Sequence, residues 1–159
     1  MTSRVHRYEV QTTWTGNSGE GTVHYRAYKR DYEIAGAGKQ TTIPGSSDPA
    51  FRGDPARYNP EELLLGALSA CHMLWVLHLC ADAGITVTAY SDQPVGLMTE
   101  EPDGSGRFTE VTLRPQMKIT DVSRIAEATA LHDRVHQVCA IALSVNFPVL
   151  CSPSVAAAE

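Results

Sequence analysis

The chain lacks the features that mark several large classes of protein. Its 159 residues contain no run rich in lysine and arginine, and the formal net charge is −5. Because a nucleic-acid-binding surface normally needs a basic patch or stripe, we expect no nucleic-acid partner. The first residues, MTSRVHRYEVQTTW, include no apolar stretch of the kind that forms a secretory signal peptide. We therefore expect a cytoplasmic protein.

Cysteine is scarce, with four in the whole chain: Cys71, Cys80, Cys139 and Cys151. Where no export signal is expected, cysteines are more often catalytic or metal-binding than members of a structural disulfide framework. Free cysteine is also among the most buried residue types, and it usually acts as a small hydrophobic side chain. Each of the four is therefore a candidate for the core or for chemistry.

One long apolar run occupies positions 63–80, with the sequence LLLGALSACHMLWVLHLC. Its length is at the short end of what crosses a bilayer, which takes about 20 apolar residues. The run contains Ser69, His72 and His78, and no basic residues flank it. We therefore predict the buried helix of a soluble fold or dimer, and no membrane partner.

The N-terminal part of the chain reads as strands followed by a loop. Apolar and polar residues alternate from Tyr8 to Trp14, which predicts a half-buried strand. A turn at 16–21 and a second alternating stretch at 23–27 predict a hairpin. Residues 35–58 are rich in Gly, Ser and Pro, which indicates a long ordered loop.

Residues 59–62 predict the start of the first helix. Asn59 suits the N-cap, Pro60 the first helical position, and Glu62 the third, where it closes a capping box. Gly84 predicts the end of this helix.

The remaining elements follow from turn signals and periodicity. We predict a strand at 85–90 and a hairpin at 95–119, with a bulge or an edge position near Pro115. A second helix, capped by Asp121 or Ser123, is expected to continue to Cys139, and residues 145–155 to form a closing strand. The order predicts one antiparallel α+β domain covering residues 1–159.

Helical spacing separates the cysteines of the first helix. Cys80 lies nine positions after Cys71, so the two point to opposite sides. Cys71 shares an apolar stripe with Leu64, Ala67, Leu68, Leu74, Trp75 and His78. Glu61 lies about 80° round the helix and nearly three turns earlier, so it reaches the same pocket only through an intermediary.

Two segments resemble the OsmC/Ohr family, named for osmotically inducible protein C and organic hydroperoxide resistance protein. The segment NPEELLLGALSAC at 59–71 is similar to the family signature that opens with Asn-Pro-Glu and ends in a cysteine. HQVC at 136–139 is similar to the family's second cysteine motif, in which Pro-x-Ser follows. Here Ala140, Ile141 and Ala142 replace that Pro-x-Ser, which puts the role of Cys139 in question.

The resemblance implies a fold and an assembly. It implies an α+β, OsmC-like fold in which antiparallel sheets wrap around two long central helices in an intertwined homodimer. Two active sites would then lie at the dimer interface.

The resemblance also implies an activity, that of a thiol-dependent peroxidase that reduces organic hydroperoxides without a cofactor. Cys71 would be peroxidatic and Cys139 resolving, and an external dithiol would reduce the bridge between them. Glu61 and an arginine would assist. Arg52 is the first choice for that arginine, with Arg57 and Arg30 as rivals. Cys151, in CSPS, competes with Cys139, but it lies late in the chain, in the predicted last strand.

Two alternatives stay open. His132, His136 and Cys139 share one face of the second helix and, with His78 or Cys71, form a set of the type that zinc accepts. Alternatively, the chain keeps the fold without the peroxidase activity and binds small apolar ligands.

Overall fold

The computed structural model describes residues 4–158. The chain divides into two compact units, the first ending at Leu63 and the second beginning at Leu64. We describe each unit by itself. That the whole chain acts as one domain stays a prediction.

The first unit is built on a three-stranded antiparallel sheet. Its strands are β1 (Gln11–Trp14), β2 (Tyr32–Ala35) and β3 (Ile43–Gly45), in that order across the sheet. A single 3-10 turn at Pro49–Phe51 follows. The predicted loop at 35–58 is therefore wrong in part, since it contains a strand and this turn.

The predicted N-terminal hairpin is wrong in its second strand. Residues 23–28 form turns and bends, and β1 pairs with β2. The guanidinium of Arg30 explains this, because it donates to the carbonyls of Tyr25 and Tyr28 and stacks over both rings. These contacts hold the segment in a compact turn. All four residues of β1 are exposed, so the half-buried pattern is wrong as well.

Helix α1 (Pro60–Asp82) begins as predicted. The Glu62 amide donates to Asn59 Oδ1 at 2.7 Å, and the Asn59 amide donates to Glu62 Oε2 at 3.0 Å. This reciprocal pair is the capping box. Gly84 follows the helix with φ of +69°, the left-handed conformation that glycine adopts without strain.

Helix α1 has an unusual surface for a single chain. By length and composition it is apolar enough to cross a membrane, yet only 22% of its most apolar 18-residue window is buried in this chain. The core helices of soluble proteins can be equally long and apolar. The apolar surface of α1 is therefore left largely uncovered by the described residues.

The second unit contains two three-stranded sheets. Its strands are, in chain order, β4 (Val87–Ser91), β5 (Val95–Glu100), β6 (Gly106–Leu113), β7 (Gln116–Ile119), β8 (Val149–Cys151) and β9 (Ser154–Ala157). One sheet has the order β4-β7-β9 and the other the order β5-β6-β8. The chain passes from one sheet to the other at Pro115, where we had predicted a bulge or an edge.

The prediction that all strands pair antiparallel is confirmed for only part of this unit. The pairs β4–β7 and β5–β6 are antiparallel, as expected. The predicted closing strand is two strands, and β8 and β9 pair in parallel with β6 and β7. The register places Cys151 opposite Leu113.

Helix α2 (Ile125–Val135) is shorter than predicted. Asp121 caps the 3-10 turn before it by accepting from the Ser123 amide at 3.0 Å. The helix ends four residues before Cys139 because the next amides, those of Gln137 and Val138, bond to carbonyls only three residues back. Such bonds tighten the chain into a 3-10 turn.

The core of the second unit lies between the two helices and one sheet. Its main cluster consists of Val76, Cys80, Ile85, Met117, Ile119, Ala128, Leu131, Val135 and Cys139. Cys80 is fully buried there. Its position is that of a core residue.

Removing the N-cap of α1 should destabilise the protein. We expect Asn59→Ala to lower the free energy of unfolding by about 1 kcal/mol, because it leaves the Glu62 amide without an acceptor. Urea unfolding followed by circular dichroism measures this change. Asn59→Asp keeps an acceptor and should stay within a few tenths of a kcal/mol of the parent. Equal stability of the alanine variant and the parent would contradict the capping role.

Candidate active site

Two cysteines that are distant in the chain meet in the second unit. The Cys139 thiol donates to Cys71 Sγ at 2.8 Å, and 68 residues separate the two in sequence. Both are free cysteines. A covalent S–S bond is about 2.05 Å long, so the sulfurs lie less than an ångström beyond bonding distance.

Two different elements position these sulfurs. Cys71 lies in the middle of α1, and Cys139 lies just beyond α2, where its amide donates to the Val135 carbonyl at 2.9 Å. Cys139 is 2% exposed, whereas Cys71 is half-buried. Of the two residues, Cys71 is therefore the more exposed to solvent.

The segment after Cys139 turns without the Pro-x-Ser of the family motif. The Cys139 carbonyl accepts from the Leu143 amide at 3.0 Å, and a 3-10 turn covers Ala142–Ser144. Ala140, Ile141 and Ala142 are therefore compatible with a backbone that holds Cys139 against Cys71.

The Cys139 thiol does not lose its proton readily. Burial raises the pKa of the Cys139 thiol to about 11, and its hydrogen bond to Cys71 acts in the same direction. The amides of Ala142 and Ile141 oppose this shift only partly. Cys139 is therefore a neutral thiol at pH 7, and its S–H donates to Cys71 Sγ.

The surroundings of Cys71 on α1 are apolar. Trp75 and Leu79, on neighbouring turns, pack with Cys71 against the core cluster. Leu74, Trp75 and His78 line a shallow groove of about 200 Å³ along the stripe that Cys71 shares. This groove suits an organic group better than a small polar molecule.

The other predicted site residues lie in the first unit. The Glu61 side chain is half-buried, and its Oε2 has no hydrogen-bond partner among the described residues. Arg52 is exposed and has a left-handed backbone with φ of 68°. Arg57 pairs with Asp54 at 3.7 Å, and its buried Nη1 is unpaired within residues 4–158. The Arg30 guanidinium is held by two tyrosine carbonyls.

The metal set predicted on the second helix does not form. His132 Nδ1 lies 2.9 Å from His72 Nε2, while Cys139 faces Cys71. The His136 ring contacts the edge of His72, at 6.1 Å between ring centroids. The reason is that α2 ends at Val135, so the face on which the prediction depended does not extend to Cys139.

A second cluster of chemically active groups was not predicted. His72, His132 and Cys151 each offer a ligand atom, and these atoms lie within 4.8 Å of one another. The separations of 60 and 79 residues within the cluster give no local motif, so no sequence signal could identify it. Burial lowers the pKa of both His72 and His132 to about 4 and raises the pKa of Cys151 to about 12.

Comparison with known proteins identifies the class of protein and then the family. The chain is an α+β protein with a pair of facing cysteines, one on a central helix and one just beyond a second helix. A family model described as OsmC-like protein matches residues 53–152, more than half of the chain. The chain belongs to the OsmC-like family.

Solved structures show the same fold. An OsmC-like protein of unknown function from Vibrio cholerae is 28% identical, with a TM-score of 0.83, and the match covers 94% of this chain and 100% of that chain. An organic hydroperoxide resistance protein from Elizabethkingia anophelis is 19% identical, with a TM-score of 0.65 and coverage of 96% and 99%. One from Legionella pneumophila is 16% identical, with a TM-score of 0.64 and coverage of 97% and 99%. A search of curated proteins gave no match.

Alkylation of Cys139 should require a high pH. We expect iodoacetamide to label Cys139 in the folded protein only as the pH approaches about 11, because a raised pKa keeps the thiol protonated to higher pH. Peptide mapping by mass spectrometry after labelling across a pH series measures this. The protein unfolded in urea is the control, in which Cys139 should react at lower pH. Full labelling of Cys139 at neutral pH in the folded protein would contradict the assignment.

Proposed function

We propose that this protein is a thiol-dependent peroxidase that reduces organic hydroperoxides. The observation that carries the proposal is the 2.8 Å contact between the Cys139 thiol and Cys71 Sγ. Membership of the OsmC-like family supports it, and two structures with the same fold are named organic hydroperoxide resistance proteins. In this proposal Cys71 is the peroxidatic cysteine and Cys139 the resolving one.

The reaction has two steps on the enzyme. The Cys71 thiolate attacks the peroxide, the O–O bond breaks, and an alkoxide leaves that takes up a proton to become an alcohol. Cys71 is now a sulfenic acid. The Cys139 sulfur then displaces its hydroxyl group, which gives a Cys71–Cys139 disulfide and one water.

The catalytic cycle closes with an external reductant. A dithiol reopens the bridge by thiol–disulfide exchange, becomes a disulfide itself, and returns Cys71 and Cys139 to thiols. No metal or organic cofactor takes part in this scheme.

Glu61 and an arginine complete the proposed machinery. An arginine favours the ionised form of a nearby thiol, and a carboxylate orients an arginine through paired hydrogen bonds. The family resemblance assigns these roles to Glu61 and Arg52, with Arg57 and Arg30 as alternatives. The buried, unpaired Nη1 of Arg57 makes it a stronger rival to Arg52 than Arg30, whose donors are engaged.

We further propose that the protein acts as a homodimer in the cytoplasm. The uncovered apolar surface of α1 supports a second copy of the chain as its cover, since a soluble protein rarely exposes so large an apolar surface.

Replacing each site cysteine should separate the two steps. We expect Cys71→Ser to abolish peroxide turnover, because the nucleophile is lost. Cys139→Ser should still consume one equivalent of peroxide but accumulate a sulfenic acid instead of a disulfide. Intact mass and peptide mapping after one equivalent of cumene hydroperoxide measure this, with Cys80→Ser as a control that should behave as the parent. Continued turnover by Cys71→Ser would refute the proposal.

The substrate preference should follow the apolar groove. We expect a higher kcat/KM for cumene hydroperoxide than for hydrogen peroxide. Leu74→Ala should lower the value for cumene hydroperoxide about threefold to tenfold, because it removes apolar contact area, and leave hydrogen peroxide unaffected. Leu150→Ala, a similar truncation of an exposed leucine away from the groove, is the matched control. A preference for hydrogen peroxide would contradict this assignment.

A further inference from the structure

A second site lies in the same unit, formed by three residues that the proposed peroxidase reaction does not use. His72 comes from the middle of α1, His132 from α2, and Cys151 from the last position of β8. His72 is 2% exposed, His132 is fully buried, and Cys151 is half-buried. We propose that these three side chains bind a transition metal ion of the zinc type through two imidazole nitrogens and one thiolate.

The distances are close to those that a tetrahedral metal imposes. With the usual zinc bond lengths, two nitrogen ligands lie about 3.3 Å apart, and a nitrogen and a sulfur ligand about 3.5 Å apart. His72 Nε2 lies 2.9 Å from His132 Nδ1 and 3.6 Å from Cys151 Sγ. Binding therefore requires the two rings to separate by a few tenths of an ångström, and the ligand atoms of His132 and Cys151, which lie within 4.8 Å of each other, to come to about 3.5 Å. Three protein ligands leave the fourth tetrahedral position free.

The two nitrogens that would bind the ion, His72 Nε2 and His132 Nδ1, are hydrogen-bonded to each other at 2.9 Å. Metal binding would therefore replace this bond between two buried rings. The other ring nitrogen of His132, Nε2, has no hydrogen-bond partner among the described residues, and it lies outside the ligand set.

The charges around the cluster favour a cation. The Asp92 carboxylate acts on His72, His132 and Cys151, and the Asp133 carboxylate acts on His132 and Cys151. Asp92 is fixed by two neutral donors, the Ser69 hydroxyl at 2.6 Å and the Arg114 amide at 2.7 Å. Its charge therefore stays available to a bound ion. His136 also faces the pair, with its ring against that of His72.

Proton balance at the site is simple. In one pair of neutral tautomers, both the His72 Nε2 and the His132 Nδ1 lone pairs face the ion, so neither ring needs to lose a proton. The Cys151 thiol must give up its proton to become a thiolate ligand. One proton is then released for each metal ion bound, and no oxidation or reduction takes place.

The test uses the full chain, fully reduced and stripped of metal with a chelator. Zinc titration in competition with a chromophoric chelator should show one equivalent bound, and cobalt in its place should show a thiolate-to-cobalt absorption band. Cys151→Ser should abolish that band and weaken zinc binding by at least about 100-fold, since even the loss of an outer partner typically costs about 10–100-fold. His132→Gln provides a second variant with the same expected loss, and circular dichroism verifies that both variants fold.

Two controls separate this site from the peroxidase cysteines. The double variant Cys71→Ser/Cys139→Ser should still bind one zinc, as should Cys80→Ser. Zinc binding that survives in Cys151→Ser but disappears in the double variant would overturn the proposal, and so would a parent protein that binds no zinc. Peroxide turnover by Cys151→Ser is measured separately and should equal that of the parent, so the failure of one proposal leaves the other standing.

Discussion

The hydrogen bond from the Cys139 thiol to Cys71 Sγ depends on nearly every part of the second unit. It needs an apolar α1 to place Cys71, a short α2 that ends early, and a tight turn that carries Cys139 back into the core. Because the core cluster includes Cys139 and packs against Cys71, hydrophobic burial holds one sulfur against the other. The same burial keeps Cys139 protonated. Packing and reactivity at this site therefore have a common physical origin.

The two clusters of the second unit use one scaffold in different ways. Adjacent residues of α1, Cys71 and His72, lie about 100° apart around the helix and so belong to different clusters. Cys71 meets a residue beyond α2, whereas His72 meets His132 within α2 and Cys151 at the end of β8. A single helix thus supports a pair of sulfurs on one side and a histidine–cysteine cluster on another.

Local signals in the sequence predicted the parts of the fold that depend on neighbouring residues. The capping box of Asn59 and Glu62, the end of α1 near Gly84 and the pairing of β5 with β6 all follow from nearby residues. The predictions that were wrong concern contacts between residues far apart in the chain. Nothing near residues 149–157 shows that β8 and β9 pair in parallel with β6 and β7. The turn held by Arg30 has the alternating sequence of a strand, and the difference lies in the hydrogen bonds and cation–π contacts that Arg30 makes with Tyr25 and Tyr28.

The residues of the candidate site also divide into those that the sequence identified and those that it did not. Cys71 and Cys139 were identified through motif resemblance, whereas periodicity alone placed Cys139 on a helix that does not reach it. The cluster of His72, His132 and Cys151 joins residues from three elements and has no spacing that a sequence could show.

The parallel pairing of β8 and β9 has a consequence for how the protein forms. The outer strands of both sheets in the second unit come after every other strand in the chain, so neither sheet is complete until that last segment has been synthesised. Until then β6 and β7 each have an unpaired edge, which can pair with a strand of another chain. Long-range pairing of this kind is also slow. The growing chain therefore passes through a stage at which its long apolar helix and two unpaired strand edges are exposed together.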